Sequence, residues 1–216
     1  MLNLQKMREE QVKLASKVLT SDQFGVLKLI GGADVAFTAE KIIGAVVTLS
    51  YQDLRLEEWR TACQDQAVPY IPGFLAYREM PVLVEAFSLL DKKPDVLMVH
   101  GNGILHPRRI GLASHLGLAI DTPTLGVATK LLCGEVSGGA VILDKEVVGY
   151  EIRTKPFAKP IYISPGHKVS LKSCLEIFNA TMRGHKLPEP LKVAHRYAAN
   201  AKKKTSSSND PADHKG

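Results

Sequence analysis

Asp34, Glu79, His100 and His195 are the side chains of this sequence best suited to acid–base or metal chemistry. Asp34 lies in Ile30-Gly31-Gly32-Ala33-Asp34-Val35-Ala36-Phe37, an apolar run that reads as a central strand. A carboxylate buried in such a strand is costly unless it is paired or bound to a metal. The other reading is an aspartate at a strand end, facing water. Gly31 and Gly32 favour the first, since they leave space for a close-approaching ligand.

Glu79 follows Val68-Pro69-Tyr70-Ile71-Pro72-Gly73-Phe74-Leu75-Ala76-Tyr77-Arg78. Pro69 and Pro72 fix φ on either side of Tyr70 and Ile71 and bias the preceding residues toward extended geometry. The result is either an ordinary proline turn or a stiff apolar tip that can wedge into stacked groups such as bases. His100-Gly101-Asn102-Gly103-Ile104-Leu105-His106-Pro107-Arg108-Arg109 follows a buried strand and precedes a helix, where open α/β sheets place ligands. Gly101 and Gly103 would let a substrate backbone come close, and Arg108 and Arg109 can hold phosphates. His195 has Lys192 and Arg196 as helical neighbours, which suits a phosphate-contacting site. His115 and His167 read as structural histidines.

The elements that must position these groups follow from periodicity. Residues 4–20 read as an amphipathic helix, then Leu27–Phe37, Ile42–Tyr51 and Leu54–Gln66 as three strands whose short links imply antiparallel neighbours. Pro81 suits the first position of a helix ending near Asp91, which would put Glu79 at its start. Val96–Val99 and Thr124–Ala128 are unbroken apolar runs, as in strands buried on both faces, with a helix over Pro107–Ile120 between them. Val141–Leu143, Val147–Arg153 and Pro160–Ser164 read as strands, and Ser170–Arg183 as a helix capped by Ser170. A meander followed by β/α alternation predicts an α/β fold with a mixed sheet.

The chain has 216 residues, 45% hydrophobic, and a net charge of +6. That fits one domain over residues 1–200 and makes polyanions plausible partners. Residues 201–216 are mostly Lys, Ser, Asn, Asp and Pro and read as a disordered tail. Cys63, Cys133 and Cys174 match neither a disulfide framework nor a zinc cluster, so a cytoplasmic location is expected. No stretch is apolar enough to cross a bilayer, so no membrane partner is expected, and a monomer is the simplest assembly.

In order along residues 5–200, the sequence resembles endonuclease V, the deoxyinosine 3′ endonuclease. The resemblance rests on Gly32-Ala33-Asp34-Val35-Ala36-Phe37, Pro69-Tyr70-Ile71-Pro72-Gly73-Phe74-Leu75 with Arg78-Glu79, and Gly101-Asn102-Gly103 with His106-Pro107-Arg108. Ala113-Ser114-His115-Leu116-Gly117, Ser164-Pro165-Gly166-His167 and Leu187-Pro188-Glu189-Pro190 with Ala194-His195 complete it. It implies a ribonuclease H-like fold, with three antiparallel strands continued by parallel ones and flanked by helices. It also implies cleavage, with Mg²⁺ or Mn²⁺, of the second phosphodiester bond 3′ to inosine in DNA or RNA, in DNA repair.

By motif, Asp34 and Glu79 would bind the metal and His195 would lie beside the attacking water. Pro69, Tyr70, Ile71 and Pro72 would form the strand-separating wedge. Gly73, Leu75, Gly101, His106 and Gly111 would wall the pocket for the flipped base, while Arg108 and Lys130 would contact phosphate.

Two positions depart from the family pattern. His100 stands where the family carries a metal-binding aspartate, an exchange that disfavours Mg²⁺ relative to Mn²⁺, which accepts imidazole better. Asp95 cannot take its place, since five residues of strand at roughly 3.3 Å each put it about 16 Å away. Thr129 stands for a lysine, and Lys130 beside it points elsewhere if strand geometry continues. The sequence therefore admits an active endonuclease, with His100 as a third metal ligand, or an inosine-binding protein of the same fold with weakened cleavage. An unrelated structural α/β protein would require the ordered motifs to be accidental.

Overall fold

The computed structural model describes residues 3–155 and 157–207. A nine-stranded sheet runs in the order β3-β2-β1-β4-β5-β9-β8-β7-β6. The first three are β1 (Leu29–Phe37), β2 (Lys41–Ser50) and β3 (Leu56–Asp65), an antiparallel meander as the short links require. β4 (Val96–His100) pairs parallel with β1, and β5 (Thr124–Ala128) pairs parallel with β4. Beyond β5 the sheet turns antiparallel again through β9 (Ile161–His167), β8 (Glu146–Ile152), β7 (Ala140–Leu143) and β6 (Glu135–Ser137). The sequence pattern does not reveal β6, whose three residues are all exposed and so carry no alternation.

Helices cover both faces. Alternation along the strands sorts the core into two layers: Val47 and Met98 pack with Phe178 and Leu191 on one side, and Val46, Leu97 and Val99 with Leu83 and Leu116 on the other. The first layer carries α4 (Leu171–Ala180) and α5 (Glu189–Ser207), the second α2 (Leu75–Ser88) and α3 (Leu112–Ile120). Ser170 caps α4 as expected, its side chain accepting from Ser173 N–H. No helix among the described residues is long and apolar enough to cross a membrane.

Three boundaries differ from the sequence reading in ways that shape the site. α2 starts at Leu75, so Pro81 lies inside it and Glu79 in its second turn rather than at its start. α3 starts only at Leu112, because Arg109 adopts a left-handed φ of 56° that no helix continues. α5 runs through Ser207, so residues 201–207 of the expected tail are helical, and 208–216 lie outside the described residues. The N-terminal helix α1 (Leu4–Ala15) is shorter than expected and is tied to α2 by Tyr77, whose hydroxyl reaches the Met7 carbonyl and Glu10.

Candidate active site

Three layers of the fold converge on Asp34. The parallel ladder of β1 and β4 pairs Ala33 with Val99, which sets Asp34 and His100 at the next step on adjacent strands. Nδ1 of His100 lies 2.9 Å from Asp34 Oδ1. From the other face, Nδ1 of His195 lies 2.8 Å from Asp34 Oδ2. That reach depends on Gly32, where an added Cβ would lie 2.1 Å from the Pro190 carbonyl oxygen. The glycine therefore serves the docking of α5, not a ligand as its composition suggests, and Gly31 is likewise filled by Pro94 and Leu97. A carboxylate only accepts, so both imidazoles donate from Nδ1.

Glu79 reaches the same place from α2. It falls in register with Ala76, Val82, Leu83 and Ala86 on the buried stripe of the helix, which forces the carboxylate inward. It is 6% exposed, and burial first, then the charge of Asp34, push its pKa up to about 8. Burial also opposes ionisation of Asp34, but the hydrogen bond and charge of His100, with hydrogen bonds from His195 and the Val35 N–H, hold it below the ordinary range. Burial opposes protonation of His100, which Asp34 and Glu79 nevertheless raise.

These groups border a cleft of about 610 Å³ that Asp34, Glu79, His100, Tyr70, Thr129 and Lys130 line together. A cavity of about 60 Å³ adjoins it, walled in part by Gly73, Leu75, His106 and Gly111. Tyr70 lines both spaces and is 63% exposed, so the tip stands at their common mouth. Its base is fixed by the Gly73 carbonyl, which accepts from Gln11 Nε2 at 3.1 Å, His106 Nε2 at 3.1 Å and Arg108 Nη2 at 2.7 Å. Gly73 itself has φ +78°, a conformation that L side chains rarely adopt.

The Endonuclease V family profile matches residues 12–196 of the chain. The chain belongs to the endonuclease V family. Endonuclease V of Dictyoglomus thermophilum is 39% identical over 199 residues, covering 88% of this chain and 87% of that protein. Among solved structures, endonuclease V from Streptomyces avermitilis superposes with a TM-score of 0.86 at 29% identity, covering 95% of this chain and 96% of that one. The Ciona intestinalis endonuclease V, in complex with a 24mer DNA containing an inosine followed by a ribo-adenosine, superposes with a TM-score of 0.85 at 29% identity. That match covers 94% of this chain and 98% of that one.

The endonuclease V motifs thus meet in one region of the fold. Asp34, Glu79 and His100 share the cleft with Gly101 and Lys130, and His195 closes on Asp34 from α5. Lys130 lines the cleft because β5 ends at Ala128 and the chain bends, so strand alternation no longer turns it away from Thr129. Arg108 is engaged inside the protein, donating to Gly73 and Gln11 and lying 4.6 Å over the Phe74 ring. Gly103 faces protein too, since a Cβ there would lie 1.9 Å from the Pro165 carbonyl oxygen. His115 packs edge-on against Tyr77, its buried Nδ1 without a hydrogen-bond partner among the described residues, and His167 accepts from Leu19 N–H. Asp95 accepts from the N–H groups of Lys28 and Leu29 at the far end of β1.

Gln11 is a neighbour of the site that sequence reading misses. It is 1% exposed, the only buried residue of α1, and links Gly73 with Arg108, contacts that the sequence around it does not signal. Among the described residues, no three His, Cys, Asp or Glu side chains stand ready-made around a cation, since both imidazoles are turned to Asp34.

Proposed function

We propose that this chain is a metal-dependent endonuclease that recognises inosine in nucleic acid and cleaves the second phosphodiester bond on its 3′ side. One observation carries the reading: the Asp34, Glu79 and His100 cluster borders the same cleft as the exposed Tyr70 tip, next to a small cavity. Family membership and the inosine-containing DNA held by the Ciona relative support the choice of substrate.

The donor chemistry fits a divalent cation. Asp34 Oδ1 accepts from both His100 and Val35, whereas Oδ2 accepts only from His195 and keeps a lone pair for a metal. Glu79 and Asp34 are two buried carboxylates in one cleft, whose mutual repulsion a cation removes. Asp34 and Glu79 would hold the ion, with His100 as a third ligand once its ring leaves Asp34. The bound cation would supply positive charge to the scissile phosphate and acidify water beside it.

The side chains define the remaining work. His195 is locked through Nδ1, which leaves Nε2 of this largely exposed ring to take a proton from the attacking water. Lys130 offers a cation to a phosphate crossing the cleft. Pro69, Tyr70, Ile71 and Pro72 part the strand at the mouth, and the few kcal/mol needed to turn the base out are least for poorly paired inosine. The base enters the small cavity walled in part by Gly73, Leu75, His106 and Gly111, with Gly101 on the side of the cleft.

A second reading, recognition with weakened cleavage, draws on the His100–Asp34 hydrogen bond, because the imidazole competes with a cation for the carboxylate. One experiment separates the two. Inosine-containing DNA and RNA, single- and double-stranded, are incubated with Mg²⁺ or Mn²⁺, alongside Asp34→Ala. Cleavage lost on Asp34→Ala supports the nuclease. Tight inosine binding without cleavage supports the second reading, and cleavage that survives Asp34→Ala refutes the mechanism.

A further inference from the structure

Asn102 carries the only side chain between Gly101 and Gly103, and it lines both the cleft and the small cavity. The backbone around it is fixed. Its carbonyl accepts from Ala113 N–H at 2.9 Å, and Gly103 N–H donates to Ser164 Oγ at 3.0 Å. A Cβ on Gly111 would lie 2.3 Å from the Asn102 carbonyl oxygen, and one on Gly126 would lie 2.4 Å from Gly103 nitrogen. The loop is therefore clamped backbone against backbone, and the Asn102 amide projects from a rigid base.

That amide is unsatisfied on one side. Oδ1 is buried and has no hydrogen-bond partner among the described residues. Buried acceptors are normally paired, and one left open on a residue that lines a cavity suits a donor that arrives with the ligand. The neighbouring polar side chains are turned elsewhere: His106 Nε2 and Gln11 Nε2 both donate to the Gly73 carbonyl, and Tyr70 stands exposed at the mouth.

We infer that Asn102 Oδ1 accepts a hydrogen bond from the ring N–H of a lactam nucleobase seated in the small cavity, making Asn102 a specificity-determining residue. The inference rests on the reading of the chain as an inosine nuclease and adds the group that distinguishes the base. Hypoxanthine carries an N–H at ring position 1, next to its carbonyl. Adenine has a bare nitrogen there, which would meet Oδ1 lone pair to lone pair. The amide oxygen thus favours the deaminated base over its parent.

The test uses the full chain and three labelled single-stranded DNAs carrying deoxyinosine, deoxyadenosine or 1-methyldeoxyinosine, with binding measured in Ca²⁺. The natural chain binds deoxyinosine best, and 1-methyldeoxyinosine, which lacks the N–H, as weakly as deoxyadenosine. Asn102→Ala weakens deoxyinosine binding about tenfold and leaves the other two unchanged. Asn102→Asp, which can only accept, keeps the preference for deoxyinosine. If 1-methyldeoxyinosine binds as tightly as deoxyinosine, the inference is wrong, and that comparison decides even where a variant fails to fold. Loss of preference in Asn102→Asp overturns it as well, because the amide would then be acting as a donor. Unchanged deoxyinosine preference in a folded Asn102→Ala sinks this inference alone. No preference for deoxyinosine in the natural chain sinks the proposed function, and this inference with it.

Discussion

His100 donates from Nδ1 to Oδ1 of Asp34 across 2.9 Å, linking the last residue of β4 to the neighbouring strand β1. The contact follows from register, since parallel pairing of Ala33 with Val99 leaves the next residue of each strand on one face. An aspartate at position 100 would set two carboxylates together and attract a cation. Here a carboxylate and an imidazole satisfy each other, and a metal must compete with a hydrogen bond already made.

Restoring an oxygen ligand tests that competition. His100→Asp removes the hydrogen bond to Asp34 and adds a hard donor, which benefits Mg²⁺ more than Mn²⁺. The Mg²⁺ concentration giving half-maximal cleavage is expected to fall about tenfold or more, and the Mn²⁺ value to fall less. Equal changes for both ions would mean that His100 does not set the metal preference.

Glu79 provides a test of the metal-free protein. Its folded pKa, about 8, is raised above the ordinary 4.5 by burial and then by Asp34. The stability this group contributes is therefore fully present below about 4.5 and is lost as pH rises through about 8. Glu79→Gln cannot ionise, so the metal-free variant should melt a few degrees above the natural chain at alkaline pH and match it under acid. It should also lose the stabilisation that Mn²⁺ gives the natural chain. A variant that melts lower throughout would place Glu79 in a net-favourable contact instead.

Tyr70 should separate recognition from folding. Its side chain is largely exposed, so Tyr70→Ala is expected to change stability by no more than about 0.5 kcal/mol. If it parts a helix, the substitution slows cleavage of inosine in duplex DNA by at least about tenfold and spares single-stranded substrate, where little stacking is broken. Equal losses on both substrates would make it a binding contact rather than a wedge.

Much of this arrangement was legible in the sequence because apolar runs and their links are local signals. Thr124–Ala128 reads from its composition alone, as do the meander and the Ser170 cap. Glu79 was found by motif, but its burial was not, because Pro81 argued for a later helix start and only packing against the sheet overrides that preference. The glycines misled for a related reason. Gly31, Gly32 and Gly103 signal close approach, yet sequence cannot say whether the approaching group is a ligand or another part of the chain. Gln11 and Asn102 depend on partners 62 residues away in one case and on a missing partner in the other, and neither leaves a local pattern.

His106 fixes an acid limit on stability. Arg108 N–H donates to its Nδ1 at 3.2 Å, so Nδ1 bears the lone pair and Nε2 donates to the Gly73 carbonyl. A second proton on Nδ1 would face the Arg108 N–H, and burial, the largest cause, lowers the pKa from 6.5 to about 4. The folded state therefore binds this proton less readily than the unfolded chain. Its contribution, roughly 3 kcal/mol, is present above about 6.5 and is lost as pH falls toward 4. Urea unfolding of the metal-free chain between roughly pH 4 and pH 7 should show His106→Gln taking up about one proton fewer on unfolding than the natural chain. His115 and His167, also lowered by burial, keep part of the slope in both proteins. An unchanged slope in His106→Gln would mean that His106 takes up its proton as readily in the folded protein as in the unfolded chain, and the acceptance of the Arg108 N–H by Nδ1 would have to be given up, while Nε2 still donates to Gly73.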